Sequence, residues 1–136
     1  MAKTDGALLA GLYEPDCPGR EILDRVMSRW GCLALLVLRT RSYRFSELRR
    51  HIGGVSEKML AQSLRALEED GFVLRHDFGE VPPRVEYSLT RMGRDLAEHV
   101  AVLGAWISDH AEQVLAEREK RRRAPTRRRG AAKSSA

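Results

Sequence analysis

The chain has 136 residues, 43% of them apolar, a formal net charge of +5 and two cysteines. That length suits one domain with ends, built around a small core. Two cysteines cannot make a disulfide framework, no apolar run approaches the roughly 18 residues of a membrane span, and Gly6-Ala7-Leu8-Leu9-Ala10 is too short and too weakly basic in front for a signal peptide, so a cytoplasmic protein is expected.

The charge is unevenly spread. From Glu117 onward nine bases face two acids, or +7, whereas the 116 residues before it hold 15 bases and 17 acids, or −2. Inside that body, positions 39–65 carry seven bases and two acids. A focused basic patch on a near-neutral body fits a protein that touches one face of DNA.

In chain order, residues 1–16 show no clear periodicity and are expected to be a flexible arm, with room for a short helix at Leu8–Tyr13. Pro18 suits the first turn of a helix running to about Trp30, whose apolar side is Ile22, Leu23, Val26, Met27 and Trp30. A second, buried helix follows over Cys32–Leu38, and Cys32 reads as a small buried hydrophobe. Ser46 is a candidate cap for a short helix, Glu47–Ile52, and Gly53-Gly54 allows a tight turn. Ser56 can cap the next helix, in which Leu60, Leu64 and Leu67 form an inner face and Glu57, Lys58, Ala61, Gln62 and Arg65 an outer one. Gly71 ends it.

Phe72–Phe78 and Val85–Leu89 read as two strands broken by Pro82-Pro83, a hairpin with its tip near Gly79–Arg84. Thr90 then caps a long last helix. In it Leu96, Val100, Leu103, Ile107, His110 and Val114 are spaced four, three, four, three, four, a seam that favours pairing with another helix. The basic segment 117–136, with Lys120-Arg121-Arg122-Arg123 and Arg127-Arg128-Arg129 around Pro125, is expected to be disordered. It is either a phosphate tether or a solvated tail.

Helix, turn, helix, hairpin and helix in that order make a winged helix-turn-helix, mainly α with a small β-hairpin and a long C-terminal dimerisation helix. Such a fold sets its second helix in a major groove. Ser56, Glu57, Lys58, Met59, Gln62 and Arg65 are then the groove-facing candidates, with Arg65 or Lys58 suited to guanine and Gln62 to adenine. Arg44 and Arg49 are expected to clamp phosphates, and Arg84 to reach the minor groove or its backbone from the wing tip.

Several motifs carry a family resemblance. They are Cys17-Pro18, Arg29-Trp30, Arg44-Phe45-Ser46-Glu47-Leu48, Gly53-Gly54-Val55-Ser56-Glu57-Lys58-Met59-Leu60, Leu64-Arg65, Leu67-Glu68-Glu69-Asp70-Gly71, Val81-Pro82-Pro83-Arg84-Val85-Glu86-Tyr87-Ser88-Leu89-Thr90 and Gly93. Together, over about Cys17–Trp106, the chain resembles the HxlR-type winged helix-turn-helix regulators, which are related to MarR-type repressors. It departs from them at Ser28-Arg29-Trp30-Gly31-Cys32, where the family more often has Gly-Lys-Trp followed by polar residues. The resemblance implies a homodimeric transcriptional regulator of residues 17–116, more a repressor than an activator, on a near-palindromic double-stranded operator. It also implies a small-molecule or redox signal, since some such relatives sense oxidants through a cysteine near the position of Cys17. Cys17 stands at a helix start beside Pro18 and Arg20, a setting that eases thiol oxidation, and is the redox-sensing candidate.

No catalytic constellation is present. His51, His76, His99 and His110 fall at separate structural positions, none at metal-ligand spacing with Cys or acids, and Gly53-Gly54 belongs to a turn rather than a nucleotide loop. Neither a metal nor a cofactor is expected. The rival reading is a winged-helix protein-interaction module that has lost specific DNA binding, against which Lys58, Arg65 and Arg84 argue.

Overall fold

The computed structural model describes residue 9 and residues 11–123. After a 3-10 turn at Gly11–Tyr13 come α1 (Pro18–Val26), α2 (Arg29–Leu38), β1 (Tyr43–Arg44), α3 (Phe45–His51), α4 (Glu57–Glu69), β2 (Val73–Asp77), β3 (Val85–Leu89) and α5 (Arg91–Arg122). The winged helix-turn-helix order is thus the observed one. The expected arm and the far part of the basic segment lie largely outside the described residues.

The first helix ends at Val26 rather than Trp30. The Ser28 hydroxyl donates to the Arg25 carbonyl at 2.9 Å and accepts from the Gly31 amide at 3.1 Å, so it closes α1 and opens α2. α3 starts at Phe45, before the expected Ser46 cap: the Glu47 carboxylate reaches back to the Arg44 amide at 2.8 Å, which serves the exposed first turn instead. Ser56 caps α4 as expected, its hydroxyl accepting from the Met59 amide at 3.1 Å. Gly71, at φ +84°, turns the chain out of α4 in the left-handed conformation that a side chain resists.

The wing is a three-stranded antiparallel sheet in the order β1-β3-β2. Tyr43 pairs with Tyr87 and Arg44 with Glu86, while β2 and β3 pair from Val73–Leu89 to Asp77–Val85. Thr90 joins the wing to α5. Its hydroxyl accepts from the Gly93 amide at 2.9 Å, lies 2.6 Å from the Gly71 carbonyl, and its amide donates to the Phe72 carbonyl at 3.0 Å.

One core gathers these elements up to Val100. Leu35 and Leu38 of α2, Leu48 of α3, Leu60, Leu64 and Leu67 of α4, Val73, Tyr87 and Leu89 of the sheet, and Ala97 and Val100 of α5 are all buried in it. Each of the large side chains contributes about 1.5–3 kcal/mol of hydrophobic free energy. The three leucines on the inner face of α4 are at most 1% exposed, so this helix is a central member of the core. The stretch from Ala101 on is a separate unit of continuous helix. It extends to Arg122, so the first part of the basic segment is helical rather than disordered. Glu117–Arg121 and Glu119–Arg123 pairs, four residues apart, brace its end.

Candidate nucleic-acid interface

α4 turns its leucines inward and leaves Ser56, Glu57, Lys58, Met59, Gln62 and Arg65 exposed. Lys58, Gln62 and Arg65, four and three residues apart, form one stripe along the helix. The Ser56 hydroxyl is committed to its cap, leaving the stripe itself to offer donors. Among the described residues, Arg44, Arg50, Lys58 and Arg65 form no ion pair and are exposed. A cation in this state is ready for a phosphate or a base edge. Arg50 was not among the expected contacts, although the Arg49-Arg50 pair on a short helix already carried the signal.

Arg49, an expected phosphate clamp, lies with Nη1 3.8 Å from Glu57 across the turn, with side chains 48% and 73% exposed. A pair this exposed contributes under about 1 kcal/mol, so a phosphate can displace the carboxylate. Glu47 sits among bases in the same region. The Arg44 backbone N–H holds its carboxyl below the usual range, with Arg41, Arg44 and Arg50 adding to the effect.

Arg84, expected to reach the minor groove or its backbone from the wing tip, is ion-paired within the wing. Arg84 donates through Nε and Nη2 to Glu86 at 3.2 and 2.9 Å, lies 3.7 Å from Glu80, and stacks its guanidinium 4.0 Å from the Phe78 ring centre. Arg84 stands just before β3, and two residues apart along the extended chain it and Glu86 share a face, which is why they meet.

A further ion pair reaches α4 from α1. Arg25 of α1 lies 3.1 Å from Asp70 and 3.3 Å from Glu69, at the C-terminal end of α4. Asp70 is mostly buried, and its Oδ2 has no hydrogen-bond partner. A carboxylate at the negative end of a helix is unfavourable by itself, so Arg25 supplies the compensating charge. At the other end of α2, Arg39 and Glu98 form a two-pronged bond of 2.9 and 3.1 Å.

The expected dimerisation residues divide into two sets. Val100 is 8% exposed and Leu96 is half-buried, both against the core of their own chain, so they do not present a free seam. Leu103 and Ile107 are 44% and 53% exposed, and Trp106 and Val114 are exposed beside them. His110 stacks on Trp106 at 4.1 Å, with Nδ1 2.7 Å from the Trp106 carbonyl. Cys17 is the half-exposed residue just before α1, its carbonyl accepting from the Arg20 amide at 3.0 Å. Cys32 lies half-buried against the core, where burial pushes its thiol up, and its Sγ is 3.0 Å from the Val26 carbonyl. No helix among the described residues is long and apolar enough to cross a membrane.

Comparison with known proteins agrees with this geometry. Residues 25–115 match the family described as HxlR-like helix-turn-helix. The HTH-type transcriptional regulator YtfH of Escherichia coli, itself uncharacterised, is 56% identical over 110 residues, covering 81% of this chain and 87% of the relative. A solved structure of the regulator YtfH from Salmonella typhimurium has 56% identity and a TM-score of 0.77, over 79% of this chain and 96% of that one. The redox regulator HypR in its oxidised form has 36% identity and a TM-score of 0.63, over 68% and 96% of the two chains. These relatives are regulators rather than enzymes. With its helix-turn-helix, its wing and this extent of matching sequence, the chain belongs to the HxlR-like helix-turn-helix family and is a transcriptional regulator of that type.

Proposed function

We propose that the protein binds a specific, near-palindromic DNA operator as a homodimer and represses transcription from it. The observation that carries this reading is the exposed stripe of Lys58, Gln62 and Arg65 on a helix whose other face is fixed in the core. Gln62 suits adenine, Arg65 or Lys58 suits guanine, and Arg44, Arg49 and Arg50 hold the flanking phosphates. Two copies joined through the exposed face at Leu103, Trp106 and Ile107 present two such helices to successive major grooves.

The release signal is proposed to be a small molecule or an oxidant acting at Cys17. Oxidation joins its sulfur to that of a small thiol or of the partner subunit's Cys17, the oxidant taking up two electrons and two protons. The similarity to a redox regulator supports this reading.

The test is fluorescence anisotropy on an operator obtained by selection from random duplexes. Gln62→Ala and Arg65→Ala should each weaken operator binding by about 1–3 kcal/mol while affecting random duplex less. Equal operator affinity in the wild type and the double variant rejects the assignment.

A further inference from the structure

The wing holds a restrained cation. From Arg75 to Glu86 it has two arginines against Asp77, Glu80 and Glu86, an acidic balance unlike that of a hairpin built to attract phosphate. On the solvent face of the sheet, Glu86 stands in register between Arg44 of β1 and His76 of β2. Arg84, two residues earlier, lies on that same face and gives two of its N–H groups to the Glu86 carboxylate. Glu86 is the one acid in the three strands on that face. Its side chain is 26% exposed and that of Arg84 34%, so the pair is sheltered beside Phe78 rather than loosely solvated.

We propose that Glu86 is a specificity-determining residue, which restrains Arg84 so that the wing grips DNA only where the domain is fully seated. The inference rests on the DNA-binding reading above. To meet a phosphate, Arg84 must exchange one anion for another and leave a carboxylate facing the DNA. On a random duplex, phosphate contacts are nearly the whole of the binding, and this exchange yields little. On the operator, the base contacts of α4 bring the wing against the backbone and make the exchange favourable. Glu86 therefore lowers affinity for arbitrary sequence more than affinity for the operator. Glu80, at the longer distance of 3.7 Å, acts in the same sense but more weakly.

The experiment measures full-length wild type, Glu86→Gln, Glu80→Gln, Arg84→Ala and the Arg84→Ala/Glu86→Gln double variant on a random duplex and on the selected operator, over a salt series. Glutamine keeps the shape and an acceptor while removing the charge. Glu86→Gln is expected to bind random duplex about threefold to tenfold tighter and to steepen the slope of log affinity against log salt by about 0.9, one added phosphate contact. The gain on the operator should be smaller, and the double variant should show neither change. Glu80→Gln should shift both quantities in the same direction by less, and it carries the test if Glu86→Gln does not fold. Unchanged random-duplex affinity in the folded glutamine variants overturns the proposal. So does a gain that persists without Arg84. A wild type with no salt-dependent duplex binding removes the DNA-binding reading itself, a result distinct from either of these.

Discussion

Gly93 offers the sharpest test of how the wing and the last helix are joined. A Cβ built there would lie 2.8 Å from the carbonyl carbon of Phe72 and 3.1 Å from its Cα, with the carbonyl oxygen closer still. All three are backbone atoms, and the Phe72 carbonyl is already engaged by the Thr90 amide at 3.0 Å. Gly93→Ala must therefore displace either the entry to β2 or the first turn of α5. Overpacking of this kind costs about 1–3 kcal/mol or more, and losing the Thr90 hydrogen bond adds about 1 kcal/mol. Alanine's better helix propensity returns about 1 kcal/mol. The net loss is about 1–3 kcal/mol or more, a fall in Tm of roughly 4–20 °C for a domain of this size. Circular dichroism melts at one fixed protein concentration measure it. Gly53→Ala is the control, because nothing lies within 4 Å of the Cβ it would add, and it should change stability by under about 0.5 kcal/mol. A Gly93→Ala melt within about 2 °C of wild type refutes the close approach.

Three further outcomes are expected. Arg25→Ala leaves Asp70 uncompensated at the end of α4 and should lower stability by about 1–3 kcal/mol. Adding Asp70→Asn should recover part of that loss in urea titrations, and no recovery counts against the charge argument. Leu103→Asp with Ile107→Asp should turn dimers into monomers in sedimentation without altering the fold, since both side chains are exposed in the single chain; a monomeric wild type removes this claim. Diamide should weaken operator binding by wild type but not by Cys17→Ser, and the same response from both proteins places the signal elsewhere.

What the sequence made legible was local. Ser56, Gly71 and Thr90 act within a few residues of themselves, and the caps and the turn they form are where their residue types put them. β1 was not foreseen, because a two-residue strand exists only through its long-range pairing with Tyr87 and Glu86. The division between α1 and α2 was blurred because Val26, Met27 and Trp30 share the apolar side expected of one helix, and Ser28's two hydrogen bonds resolve it. The burial of Val100 could not be read from a heptad spacing, which describes one face of a helix without saying what covers it. Two signals were present and passed over. Period-two spacing puts Glu86 beside Arg84, and Glu117 and Glu119, four residues before Arg121 and Arg123, support helix through Arg122.

The two faces of α4 also bear on how such a regulator changes over time. Leu60, Leu64 and Leu67 hold the domain together, while Lys58, Gln62 and Arg65 have no ion pair or buried contact to lose. Substitutions at exposed positions of this sort usually alter stability by no more than about 0.5 kcal/mol. On the proposed reading of these three residues as base contacts, the operator preference can therefore drift, one base at a time, at almost no cost to folding. A duplicated copy of the gene can acquire new targets through changes at three positions before anything beneath them has to move.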